Sequence, residues 1–165
     1  MIVFDSSTLI LLAKAELLVR VVEEIRIIIT DIVEKECTRK QELPDAKLIK
    51  KLIEDGKIKV RNYDVEKEGK KLGKDFNMGV GEISSLLFAK KKGCILATDD
   101  RQALKVCKIL RIPFLTAIHF LLRLYEKGAI SQELALVKIK TLEEFGRYNT
   151  EIIRDALQKI REGKN

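Results

Sequence analysis

The sequence predicts an α/β protein built on a central parallel sheet of four to five strands, and three observations predict it. Short β-branched apolar runs alternate with longer stretches that carry apolar residues at helical spacing, the pattern of βαβ units. The runs lack strict polar alternation, as strands do when helices cover both faces of their sheet. Gly56, Gly93 and Gly128 each follow a helical pattern and read as C-terminal helix caps.

Residues 2–4, Ile-Val-Phe, form the first strand, and Asp5 stands at its end, where a helix begins near Ser6. Asp is a favoured N-cap, so Asp5 has a structural reading beside any functional one. The stretch from Thr8 to Val22 is broken by Lys14, Glu16 and Arg20, and falls short of the about 18 apolar residues that a membrane span needs. A second strand over 25–29 leads into Thr30-Asp31-Ile32-Val33-Glu34-Lys35-Glu36. Asp31 and Glu34 have capping-box spacing and are assigned to the helix start, which leaves Glu36, one turn in, as the ligand candidate. The third strand is 58–61.

Gly79-Val80-Gly81 precedes Glu82 and a helix patterned on Ile83, Leu86 and Leu87; an acid in that first turn suits the macrodipole. The glycines lack the spacing of either nucleotide-phosphate loop, so no phosphate cradle is expected. Lys90-Lys91-Lys92 reads as a solvated helix end. The fourth strand, 94–97, runs into Thr98-Asp99-Asp100, and the helix after it carries Leu104, Val106, Cys107 and Leu110. Pro113 opens the fifth strand, 113–115, where its missing donor does little harm. His119 reads as a packed or partly exposed residue rather than a base. The remainder, 131–162, is helical and highly charged, with apolar positions at Leu134, Val137, Ile139, Leu142, Ile152, Ile153, Leu157 and Ile160. It is expected to pack on one side of the sheet or to make a dimer contact. The chain reads as one domain over 1–165, with 131–165 a helical C-terminal extension.

Lysines and arginines number 32 against 25 acids, a formal charge of +7, which favours a polyanionic partner. Cys37, Cys94 and Cys107 are odd in number and show no C-x-x-C spacing, which argues against a zinc site and a disulfide framework. The N-terminus lacks the charged n-region of a signal peptide. A cytoplasmic protein with no membrane contact is expected.

Against this basic background, four carboxylates stand at strand ends or helix starts: Asp5, Glu36, Glu82 and Asp100. Parallel sheets bind ligands beyond the carboxyl ends of their strands, so residues far apart in sequence would gather there. A cluster of like charges costs free energy unless cations sit in it. Hard divalent cations take oxygen ligands, and Mg²⁺ is usually held by few carboxylates plus waters and phosphate oxygens. The pattern points to Mg²⁺ or Mn²⁺ and phosphodiester chemistry. Asp99 and Asp100 are adjacent, and the residues leave open which caps the following helix and which binds metal.

The order "IVFDSSTLI", "IVEKEC", "GVGEISSLLFAKKKG", "ILATDDRQALKVCKILRIP" resembles the PIN-domain nucleases, most of all the toxin-type PIN proteins of bacteria and archaea. The resemblance runs from Ile2 to about Gly128 and covers the tail loosely. It implies a three-layer α/β/α sandwich and Mg²⁺- or Mn²⁺-dependent cleavage of single-stranded or structured RNA. The family's first Asp falls on Asp5, and its small polar neighbour on Ser7. The acid of its second motif falls on Glu36, its helix-start acid on Glu82, and its Thr-x-Asp on Thr98 and Asp100, with Asp99 an extra acid. Glu at position 82 departs from the commoner Asp, though related branches use Glu. No zinc ribbon is present in the sequence.

The reading is a metal-dependent endoribonuclease. Its catalytic set is Asp5, Glu36, Glu82 and Asp100, with Asp5, Glu82 and Asp100 on the metal, and with Ser7, Thr98 and Asp99 as secondary candidates. RNA is the expected substrate, an antitoxin protein a candidate partner, and a homodimer the expected assembly. The rivals are a non-catalytic nucleic-acid-binding or interaction domain on the same scaffold, an RNA-processing enzyme, and a DNA nuclease.

Overall fold

The computed structural model describes residues 1–65 and 67–163. Strand β1 (Ile2–Phe4) leads into α1 (Ser6–Lys14) and α2 (Leu18–Glu24), and β2 (Ile27–Thr30) into α3 (Asp31–Thr38) and α4 (Pro44–Glu54). Strand β3 (Ile58–Arg61) precedes α5 (Lys67–Phe76) and α6 (Val80–Lys92), β4 (Ile95–Ala97) precedes α7 (Arg101–Leu110), and β5 (Phe114–Leu115) precedes α8 (Ala117–Glu126), α9 (Gln132–Phe145) and α10 (Thr150–Glu162).

All neighbouring strands run parallel, in the order β3-β2-β1-β4-β5. The chain builds outward from β1 to β3, then crosses back to β4, so the switch in strand order falls between β1 and β4. Val3 sits in register with Ile28 on one side and Leu96 on the other. Alternation along the strands divides the core. Ile2, Phe4, Ile27, Ile29 and Ala97 face one apolar layer, closed by α1 to α4, α8, α9 and α10. Val3, Ile28 and Leu96 face the other, closed by α6 and α7. The result is the three-layer α/β/α sandwich. Phe4 is fully buried with its ring 5.1 Å from that of Phe120, a side-chain burial worth about 1.5–3 kcal/mol.

The expected strands all form, with adjusted ends. The second starts at Ile27, because Ile25 closes α2 through a hydrogen bond from its N–H to the Val21 carbonyl. Cys94 belongs to the end of α6, its N–H bonded to Ala89 O at 2.9 Å after the left-handed Gly93. Pro113 precedes β5, yet its carbonyl still accepts from Leu96 N–H. The Asp31–Glu34 capping box does not form. Thr30 is the N-cap of α3, its hydroxyl accepting from Val33 N–H, and the Asp31 carboxylate turns to Tyr63 N–H at 3.0 Å. A hydroxyl one residue earlier wins the cap because it also bonds Ser84 at 2.7 Å.

The C-terminal stretch is two helices, broken between Gly146 and Asn149, where Asn149 caps α10. Ala135, Ile139, Leu142, Ile153, Ala156 and Ile160 pack into the first layer, and the Tyr125 hydroxyl donates to Ile160 O. Val137 and Ile152, at 58% and 44% exposure, do not. Residues 164 and 165 of the extension lie outside the described residues. Among the described residues, no helix is long and apolar enough to cross a membrane.

Candidate active site

The two strands at the switch point both end on acids. Asp5 follows β1 in extended conformation and caps α1, so its structural role is real: Oδ1 accepts from Thr8 N–H at 3.1 Å and Ser7 Oγ at 2.6 Å. Its Oδ2 accepts from the Thr98 hydroxyl at the end of β4. Asp5 is fully buried, and burial pushes its pKa up to about 7 against the pull of the Ser7, Thr98 and Thr8 hydrogen bonds, with a further push from the charge of Asp99.

Thr98 also accepts from Asp100 N–H at 3.2 Å. Asp100 caps α7 with one oxygen only, Oδ1 taking Gln102 N–H and Ala103 N–H, both at 2.8 Å. Among the described residues nothing donates to its Oδ2. Asp99 has both oxygens engaged. It accepts from Thr8 Oγ1 at 2.6 Å, from Ala117 N–H at 3.0 Å and from the Tyr148 hydroxyl, and its own N–H donates to Ser7 Oγ. So Asp100 is the cap with an oxygen to spare, and Asp99 ties α1, the start of α8 and the α9–α10 connection together.

Glu36 and Glu82 approach from a second pair of helices. Thr30 and Ser84 join hydroxyls across the α3–α6 contact, Ser84 donates to Gly81 O, and Ser85 donates to Phe4 O, which seats α6 on β1. Gly81 has no side chain, and the Glu36 carboxyl group occupies that space: a Cβ on Gly81 would fall 2.2–2.4 Å from its atoms. Glu82 folds back so that Oε2 accepts from Gly79 N–H at 2.6 Å. Burial raises the pKa of Glu82, the Gly79 hydrogen bond opposes that, and the charges of Asp100 and Glu36 raise it further. Glu82 is thus the electrostatic link between Asp100 and Glu36.

The acids are linked in parts rather than gathered in a cage: Glu82 feels the charges of Asp100 and Glu36, and Asp5 that of Asp99. Among the described residues no group of three or more His, Cys, Asp or Glu side chains is drawn together tightly enough to hold a metal ion. Mg²⁺ does not require one, since one or two carboxylates with waters and substrate phosphate suffice. The donor set is all hard oxygen; burial is the main reason that the Asp5 and Glu82 carboxyls are raised, neighbouring carboxylates add to it, and a nearby cation would relieve both. The residues therefore fit a divalent ion.

A cavity of about 470 Å³ opens beside Ser7, Asp99 and Asp100. Its other walls carry Lys14, Arg101, Lys105 and Arg147, and neither Glu36 nor Glu82 lines it. The Lys14 ammonium also sits 5.5 Å over the Phe145 ring. His119 is exposed and caps α8, its Nδ1 2.9 Å from the Thr116 hydroxyl. Sequence reasoning missed Thr8 and Tyr148. Thr8 stands one turn after Asp5, where its hydroxyl could have been read as a partner. Tyr148 lies in the tail and carries no sequence signal.

The titration of Asp5 has a measurable consequence in metal-free protein. Folded, Asp5 keeps its proton up to about pH 7; unfolded, it ionises near 3.8. Between those values the folded state binds more protons, so stability falls as pH rises from about 4 and levels off above 7. Glu82 and Asp99 shift in the same direction. Denaturant unfolding in EDTA should show a loss of a few kcal/mol between pH 4 and 8. Asp5→Asn keeps an acceptor for Ser7 and Thr8, and should flatten that profile and be the more stable protein at pH 8.

A family model described as PIN domain matches residues 1–162. The crystal structure of PAE2754 from Pyrobaculum aerophilum is similar in fold, with a TM-score of 0.50 and 19% identity over 74% of this chain and 95% of that one. Among curated proteins, nothing matches.

Proposed function

The chain belongs to the PIN-domain family, and we propose that it is a metal-dependent endoribonuclease that uses Mg²⁺ or Mn²⁺. PIN domains are generally nucleases and typically use divalent ions. The observation that carries the finer reading is Asp100, which spends one oxygen on α7, has the other without a donor among the described residues, and lines a cleft walled by Lys14, Arg101 and Lys105. An acid with an oxygen to spare next to cations that match phosphates suits phosphodiester hydrolysis.

When bound, the ion supplies a Lewis acid for the phosphoryl oxygen and acidifies water. Asp100 through Oδ2 and Glu82 through Oε1 would hold it. Asp5 would complete the set, since a carboxylate offers about four acceptor sites and three are in use. Ser7, Thr8 and Thr98 fix the Asp5 carboxyl in place by donating to it. Glu36, seated over Gly81, adds negative charge next to Glu82 and would orient waters of the ion. Lys14, Arg101 and Lys105 would hold the RNA backbone across the cleft.

Single-stranded RNA incubated with the protein and Mg²⁺ or Mn²⁺ should be cut, EDTA should stop the reaction, and Ca²⁺ should support RNA binding with poor turnover because its geometry is looser. The loose spacing of the acids favours one competing reading, a binding module without catalysis. RNA bound but left intact at saturating Mn²⁺ would establish it.

The biological role we propose is the toxin of a toxin–antitoxin pair, with RNA processing as the alternative, acting as a homodimer in the cytoplasm. Exposed Val137 on α9, Ile109 on α7 and Phe145 supply apolar surface for association. Light scattering at micromolar concentration should give twice the chain mass; the chain mass itself would remove the dimer and leave the nuclease reading intact.

A further inference from the structure

A second cavity, of about 500 Å³, lies between α7, β5, α8 and α10. Asp99, Arg101 and Arg147 line both this cavity and the cleft beside Asp100, so these residues form the wall between the two. The Arg101 guanidinium braces that wall by donating to Arg147 O at 3.4 Å. The floor is apolar, with Leu104, Phe114, Ile118, Leu122 and Ile152. Beyond the two arginines, the rim carries Lys108 and Lys159. The carboxylates present are Asp99, whose oxygens are already taken, and Asp155.

Volume and lining match a small-ligand site, which is concave, mostly apolar, and fitted with a few polar groups. The charge decides the class of ligand. Four cations around an apolar floor, with the rings of Phe114 and Tyr148 in the lining, suit a molecule with a flat apolar part and an anionic part, and a nucleotide has both. Asp155 could accept from an exocyclic amine, and Asn149, whose Oδ1 is spent on Ile152 N–H, retains its amide donors for a base edge.

We propose that this cavity is a nucleotide subsite of the RNA-binding surface. It takes the base of an unpaired nucleotide next to the one cut, on Phe114, Leu122 and Ile152, with that nucleotide's phosphate on Arg101 and Arg147. The inference rests on the RNA-cleaving reading, because the shared wall is what sets the subsite next to the cleft that Asp100 lines. Its test needs no cleavage.

Titration calorimetry of the four nucleoside 5′-monophosphates and their nucleosides, in EDTA, reads the site directly. One saturable site per chain is expected, with at least one base preferred. Ile152 is half exposed, so Ile152→Trp can be accommodated and would fill the cavity, weakening nucleoside and nucleotide alike by about tenfold or more. Arg147 is exposed, and Arg147→Ala should weaken the monophosphate several-fold while leaving the nucleoside unchanged. If the tryptophan variant does not fold, the arginine variant decides alone. Absence of saturable binding below about 10 mM overturns the subsite and leaves the cavity to a protein partner. Binding untouched by both variants also overturns it, because the nucleotide then sits elsewhere. RNA cleavage without mononucleotide binding would sink this inference alone; mononucleotide binding without cleavage would sink the nuclease reading alone.

Discussion

Asp100→Asn should abolish RNA cleavage to within background, a loss of several orders of magnitude, while changing the melting temperature little. Asparagine is as good an N-cap as aspartate, so Oδ1 can still take Gln102 N–H and Ala103 N–H and α7 stays anchored. What disappears is the negative charge of the carboxylate, and with it the grip on an ion asked to supply most of the barrier reduction. Affinity for RNA should survive, because it comes from Lys and Arg on phosphates, and should fall with salt in variant and parent alike. Variant and parent must be purified identically, since a contaminating host ribonuclease would mimic activity. A variant that cuts at the parental rate leaves the binding module as the standing interpretation.

This substitution separates two roles that sequence alone could not. The alternation of apolar runs and helical spacing was enough for the sheet, because parallel strands covered on both faces have no other way to look. Asp5 and Asp100 were legible for the same reason: they follow the two strands that flank the switch point. What was not legible is how each acid divides its oxygens. Asp5 and Asp100 are both caps, yet one is held through both oxygens and the other through one only, and that difference depends on Thr98 standing between them. The adjacent acids could not be sorted either, because Asp99 is defined by Thr8, Ala117 and Tyr148, partners from three separate segments. The Asp31–Glu34 box failed because spacing sees only local partners, and the hydroxyl of Thr30 had a distant one in Ser84.

Gly81→Ala should lower cleavage by about 10- to 100-fold, the loss expected when an outer ligand-orienting group is moved, and should leave the fold at least as stable as the parent. Gly81 lies in the first turn of α6, where alanine is the better helix former by about 1 kcal/mol. The nearest atoms to the new methyl are those of the Glu36 carboxyl group, at 2.2–2.4 Å, the far end of a flexible, exposed side chain that can swing away. The variant therefore displaces Glu36 without removing it. A loss of activity with no loss of stability would place Glu36's position, and not merely its charge, in the reaction. The decisive control is the double variant. If displacement of Glu36 is the cause, Gly81→Ala should have no further effect once Glu36→Ala is already present, because the two changes act on one interaction. Additive losses would instead assign the effect of Gly81→Ala to α6 itself, independent of Glu36.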